Sequence, residues 1–184
     1  MAAKIYEEGV IYSSVDYNPY WKDGEHNPAK NADTYHIMNL KSPTERNHGV
    51  AVKYFGDKFD AGTHRVLNFL KTDTVQVAIV PSSKKGKISQ GLEGVIGHVK
   101  DAKLLYNRDF LKRTVDIPAA HEGGERSTQK HLDTIEVRVQ PDVDIPLILL
   151  DDVATTGTSL EACKQILDAA GVKQVYMVAL GKTV

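Results

Sequence analysis

Two acids interrupt an apolar run in LLDDVATTGTSLEAC, residues 149–163. Neighbouring side chains on a strand point to opposite faces, so Asp151 and Asp152 cannot share one core. Burying an unpaired carboxylate is costly, and neither acid has a basic neighbour in sequence. The expected place for both is the carboxyl edge of a strand, in reach of water, hydroxyls or a metal. The loop that follows is Ala154, Thr155, Thr156, Gly157, Thr158 and Ser159, and it leads into a helix. Its N–H groups and hydroxyls suit an oxyanion, with the positive end of the helix dipole behind them. Gly157 lets the backbone approach closely. Acids suited to sugar hydroxyls, beside an amide nest suited to a phosphate, describe a site for ribose 5-phosphate. The plainer reading is a helix cap behind two exposed turn acids.

A second chemical segment is PSSKKGK, residues 81–87. Ser82, Ser83, Lys84, Lys85 and Gly86 offer N–H groups and positive charge. A hydrogen bond to a charged group contributes about 1.5–3 kcal/mol, so a few would hold a dense anion. Taken alone, the segment reads as a solvated basic turn. Residues 116–130 include IPAAHEGGERSTQK, with paired glycines and no apolar period, which predicts a mobile loop. His121 and His131 read as surface residues. The chain contains neither GxxxxGK[ST] nor HExxH.

The elements that must position these residues read most clearly in the second half. VQVAIV, residues 75–80, is β-branched and closed by Pro81. Residues 145–150 form a continuous apolar run, the pattern of a strand covered on both faces. Residues 158–170 carry Leu160, Cys163, Ile166, Leu167 and Ala170 at helical spacing, with Gly171 where a left-handed residue ends a helix. Residues 175–180 form another strand. Helices are expected over 58–70 and 92–99, and strands over 104–106 and 135–139. Residues 49–55 suit a strand or a helix start. KIYEEGVIYSSV and TYHIMNL suit short strands, separated by the turn-rich YNPYWKDGEHNPAKNAD. Tyr12, Tyr17, Tyr20, Trp21 and Tyr35 suit the small core of an appendage, or a base-stacking hood. Strand, helix, strand implies a parallel sheet with ligands at its carboxyl ends. The expected fold is α/β: a twisted, mainly parallel sheet flanked by helices. An N-terminal appendage is expected over 1–48 and the core domain over 49–184.

The chain has 184 residues, 41% of them hydrophobic, enough for one sizeable core. A formal net charge of -1 supplies no basic field for nonspecific nucleic-acid binding. The single cysteine, Cys163, excludes an internal disulfide and a cysteine-built zinc site. The N-terminus lacks a signal-peptide pattern, and no apolar run approaches the ~20 residues that cross a bilayer. A soluble, cytoplasmic protein is expected.

The string from the apolar run through Asp151-Asp152 to the Thr-Gly-Thr loop resembles the signature of type I phosphoribosyltransferases. The resemblance implies that the acids hold the ribose hydroxyls of phosphoribosyl pyrophosphate (PRPP) and the loop holds its 5-phosphate. It implies a pyrophosphate loop at residues 81–87, and a closing loop from which Arg126 reaches the pyrophosphate, with Arg113 as a second candidate. It also implies Mg2+, with Asp151 and Asp152 as direct or indirect ligands. The acceptor would be a nitrogen nucleophile, a base or an amine, and a homodimer is compatible. VKYFGDKF, AIVPSS and KRTVDIPAAHEGGERSTQKHL make the resemblance closest to the ComF-like branch, over roughly residues 51–180. The zinc-binding cysteines of that branch are absent, and KKGKISQGLEG follows the first core strand. Two other functions fit the same residues: a PRPP- or nucleotide-sensing module without turnover, and an accessory protein in nucleic-acid handling.

Overall fold

The computed structural model describes residues 6–118 and 127–184. Five strands form a wholly parallel sheet: β1 (Ile11–Tyr17), β4 (Thr74–Ile79), β5 (Lys103–Tyr106), β8 (Leu147–Ala154) and β9 (Val175–Thr183). Their order is β1-β9-β8-β4-β5. The central strands read as unbroken apolar runs because both faces are covered. Helices α1 (Ala32–Lys41), α2 (His48–Leu70) and α3 (Gln90–Ile96) cover one face, enclosing Ile37, Phe55, Val77, Leu92, Ile148 and Leu150. On the other face α5 (Thr158–Ala169) packs Leu160, Cys163 and Leu167 on Leu147, Leu149 and Met177. The α/β architecture is the one expected. The segment 1–48, expected as an appendage, supplies β1 to the sheet edge and α1 to its flank, and carries a hairpin of β2 (Trp21–Lys22) and β3 (Glu25–His26).

Several local expectations are corrected. TYHIMNL is helical. Asn31 caps α1 with a reciprocal capping box to Thr34, and Thr34, Ile37 and Leu40 bury one face at three-residue spacing. Helix α2 begins at His48 rather than residue 58, because Ala51, Phe55 and Phe59 extend its buried stripe backward at four-residue intervals. Of residues 135–139, only β7 (Ile135–Glu136) is strand. It pairs antiparallel with β6 (Lys112–Arg113), while the N–H groups of Arg138 and Val139 both donate to the Asp109 carbonyl. Of the loop expected over 116–130, residues 119–126 lie outside the described residues, and Thr128 to Lys130 instead open a short helix, α4 (Thr128–Leu132). Gly171 takes the left-handed conformation, φ 90°, after α5 as its position required.

Candidate functional site

Strand β4 is shorter than its neighbour. Ile79 pairs with Leu150, the Val80 N–H donates to the Leu150 carbonyl, and Pro81, which has no N–H, follows. Strand β8 runs on to Ala154 beside β9, with Asp151 opposite Ala179 and Ala154 opposite Lys182. The acids therefore stand where β8 has lost its partner on one side. A cavity of about 350 Å3 opens there, bordered by Lys41, Pro81, Ser83, Arg113, His131 and the segment from Asp151 to Leu160.

Alternation along β8 assigns the acids to opposite faces, as expected. Asp152 continues the row of Ile148 and Leu150 towards α1, where Lys41 Nζ lies 3.4 Å from its Oδ1. Asp151 continues the row of Leu147 and Leu149 on the α5 side, and its Oδ1 accepts the Asp152 N–H at 2.8 Å. The acids are half-buried rather than exposed, because β8 continues past them. Burial pushes the Asp151 carboxyl well above the usual range and the neighbouring Asp152 charge adds to this, only partly offset by the Asp152 N–H and by Lys41. Burial lowers the Lys41 pKa, but Asp152, Asp151 and Tyr17 outweigh it and hold the ammonium above its ordinary value. Sequence reading missed Lys41. Its signal was a basic residue in the last turn of a helix, invisible while that segment read as a strand.

The rest of the border suits an anion. Gly157, at φ 81°, is the N-cap of α5 and has no side chain to cap it. The first-turn N–H groups of Thr158, Ser159 and Leu160 have no helical acceptor and face the loop. The loop hydroxyls are tied sideways, Thr156 Oγ1 to Thr158 Oγ1 at 2.8 Å and Thr155 Oγ1 to Thr183 Oγ1 at 3.0 Å. A Cβ on Gly157 would strike Ile11 Cδ1, so β1 seals the back of this loop. Ala154 is buried beneath it, whereas Thr155 and Thr156 are exposed.

Arg113 is 1% exposed and borders the cavity. Its Nε donates to the Ser82 carbonyl at 2.7 Å, its Nη1 to Thr134 Oγ1 at 2.5 Å, and its Nη2 to His131 Nδ1 at 3.2 Å. Among the described residues no carboxylate pairs with it. Burial lowers its pKa, yet a guanidinium stays charged. His131 is not a surface residue: it reaches Ser159 Oγ at 3.3 Å through Nε2, and burial, then Arg113 and Lys130, lower its pKa.

The basic turn is placed less directly. Ser83 borders the cavity, whereas Lys84, Lys85 and Gly86 do not. The turn's amides are largely committed. Lys84 N–H donates to Ser82 Oγ, Lys85 N–H to Asp116 Oδ1 and Gly86 N–H to the Arg113 carbonyl. The lysine side chains are exposed. Arg126 and His121 lie outside the described residues. No described helix is long and apolar enough to cross a membrane.

No family model matches the chain, and no curated protein matches it. Among solved structures it is similar to a hypoxanthine phosphoribosyltransferase from Staphylococcus aureus in its tetragonal form, with TM-score 0.45 and 12% identity over 72% of each chain. The orthorhombic form of that protein gives TM-score 0.42 at 12% identity, over 72% of this chain and 73% of that one. Purine phosphoribosyltransferase from Pyrococcus horikoshii Ot3 gives TM-score 0.39 at 15% identity, over 71% of this chain and 87% of that one. At these identities and scores the likeness assigns no activity to this chain.

Proposed function

We propose that the protein transfers the 5-phosphoribosyl group of PRPP to a nitrogen nucleophile and releases pyrophosphate. The observation that carries this is one cavity bordered by both kinds of group. The acid pair borders it, and so do the uncapped N-terminus of α5 and the buried, carboxylate-free Arg113. A ligand that fits must offer hydroxyl donors to the acids and an anion to the helix. Asp151 and Asp152 would accept from the ribose hydroxyls, and the loop from Ala154 to Ser159 would hold the 5-phosphate. Ser82, Ser83, Lys84, Lys85 and Gly86 would meet the pyrophosphate by a shift of the basic turn, and Arg126 would join them from the segment after Pro118. Rate would come mainly from positioning and from fixed charge facing the leaving group.

Among the described residues no cluster of three or more His, Cys, Asp or Glu side chains could cage a metal. Two carboxylates on opposite faces of one strand suit a Mg2+ that arrives with PRPP, keeps its waters and takes most of its ligands from phosphate oxygens. Bound there, Mg2+ would neutralise charge on the pyrophosphate. In this reading residues 1–48 act as the hood and 49–184 as the catalytic core, with the ComF-like branch as the nearest kind. The protein would work in the cytoplasm, alone or as a homodimer.

The test is a pyrophosphate-release screen with PRPP, Mg2+ and a panel of bases and amines. Release with any acceptor supports the transferase. Saturable PRPP binding with no release favours a sensing module, for which the Lys41–Asp152 pair already provides a neutralised resting state. Absence of PRPP binding overturns both. A salt-dependent shift of DNA would instead point to an accessory role in nucleic-acid handling.

A further inference from the structure

The chain Arg113–His131–Ser159 has a direction. A guanidinium can only donate, so His131 Nδ1, 3.2 Å from Arg113 Nη2, must be the acceptor and carry no proton. The neutral imidazole then holds its proton on Nε2. That N–H points to Ser159 Oγ at 3.3 Å. Ser159 therefore accepts from His131 and keeps its own hydroxyl proton free to donate. No other hydrogen bond claims that proton among the described residues, and Ser159 borders the cavity. Arg113 cannot turn to reverse the order. Its other two nitrogens are held by the Ser82 carbonyl and Thr134 Oγ1, and Thr134 in turn donates to the Lys130 carbonyl, the residue before His131.

We infer that Arg113 and His131 are positioning residues that fix the Ser159 hydroxyl as a hydrogen-bond donor to a phosphate oxygen. This rests on the phosphoribosyl reading and deepens it. A free serine hydroxyl serves either as donor or acceptor, so it discriminates poorly. Locked as a donor beside the α5 amides, it favours a group whose oxygens only accept, such as a dianionic phosphate monoester. It disfavours one that presents its own hydroxyl or amide proton. Neither Arg113 nor His131 need touch the ligand for this effect.

The experiment is calorimetric titration of ribose 5-phosphate into the full chain, with thermal melts to confirm folding of each variant. His131→Leu should weaken binding by up to about tenfold, because the Ser159 hydroxyl is no longer held as the donor of one charge-assisted hydrogen bond. His131→Gln should recover most of it, since its amide can accept from Arg113 and donate to Ser159. Ser159→Ala should weaken binding by a similar factor, and His131→Leu should add nothing further in that background. If His131→Leu does not fold, His131→Met is read in its place. Wild-type binding with unchanged affinity in His131→Leu overturns the relay and leaves the phosphoribosyl reading standing. So do fully additive losses in the double variant, or no recovery with Gln. Failure of the wild type to bind ribose 5-phosphate overturns both.

Discussion

Lys41 Nζ stands 3.4 Å from Asp152 Oδ1, which joins the last turn of α1 to the strand that carries the acids. The contact makes the N-terminal segment part of the cavity wall. It also explains how half-buried acids persist side by side, since one of the two charges has a permanent partner.

Removing that partner should expose the cost. Lys41→Met keeps the apolar stem and loses the ammonium. Half of the Lys41 side chain is in water, so a loss of about 0.5–1 kcal/mol is expected near neutral pH. Asp151, already raised by burial, then loses a charge that offsets it and holds its proton more tightly when folded than unfolded, so the deficit should grow as pH rises above about 4. Denaturant melts at pH 5 and pH 8 check this; a deficit of the same size at both would separate Lys41 from the acid pair.

Asp151 should behave as a destabilising residue retained for function. Its pKa is raised in the folded protein, so between the ordinary carboxylate value, about 4, and its folded value the native state binds more protons than the unfolded one. Stability from this group is therefore present at low pH and lost as pH rises through neutrality. Asp151→Asn can still accept the Asp152 N–H and carries no charge. It should be more stable than wild type at pH 7.5, by about 1 kcal/mol or more, with the gap closing near pH 4. A lower melting temperature than wild type at pH 7.5 would contradict this account.

The same acids should dominate ligand binding. Asp151→Asn with Asp152→Asn should lose PRPP affinity by roughly tenfold or more, as two carboxyl groups that accept from the ribose hydroxyls become carboxamides, while circular dichroism stays that of the wild type. Unchanged affinity by calorimetry would remove the ribose assignment.

Gly157 should tolerate less than the hydroxyls around it. Gly157→Val meets both a positive φ and the Ile11 side chain. Thr158→Ala removes only one hydroxyl, and that hydroxyl is bound to Thr156. Ribose 5-phosphate affinity should fall further for Gly157→Val. Equal affinities would argue against a site made of backbone amides.

The parts of the fold that one stretch of sequence determines were the legible ones. β4, β8, α5 and β9 each carry an apolar run or a helical stripe bounded by Pro81, the acid pair or Gly171, and each lies where its own residues place it. The acids and the Gly157 loop were legible for the same reason, being contiguous. Lys41 was missed, His131 read as a surface residue and Arg113 entered only through the family resemblance, because their surroundings come from other segments. Lys41 needs α1 folded against β8. His131 is shielded by a guanidinium donated from β6 across a gap in sequence. The basic turn at 82–87 shows the reverse dependence. Its composition advertised free amides, but Asp116 and the Arg113 carbonyl, both remote in sequence, occupy them.

The sheet also closes in an order that matters for how the chain reaches its native state. Strand β1 pairs with β9 in parallel, Ile11 opposite Met177 and Tyr17 opposite Thr183, so two strands more than 150 residues apart must meet before this part of the sheet is closed. Pairing across nearly the whole chain is slow, because the loop entropy is lost before the contact forms. Until then Ile11 does not yet back the Gly157 turn. The anion-binding wall is thus complete only once β1 and β9 have paired. A chain clipped before β9 would lose an interior strand of the sheet and the partner of β1 together, and with them the backing of the pocket.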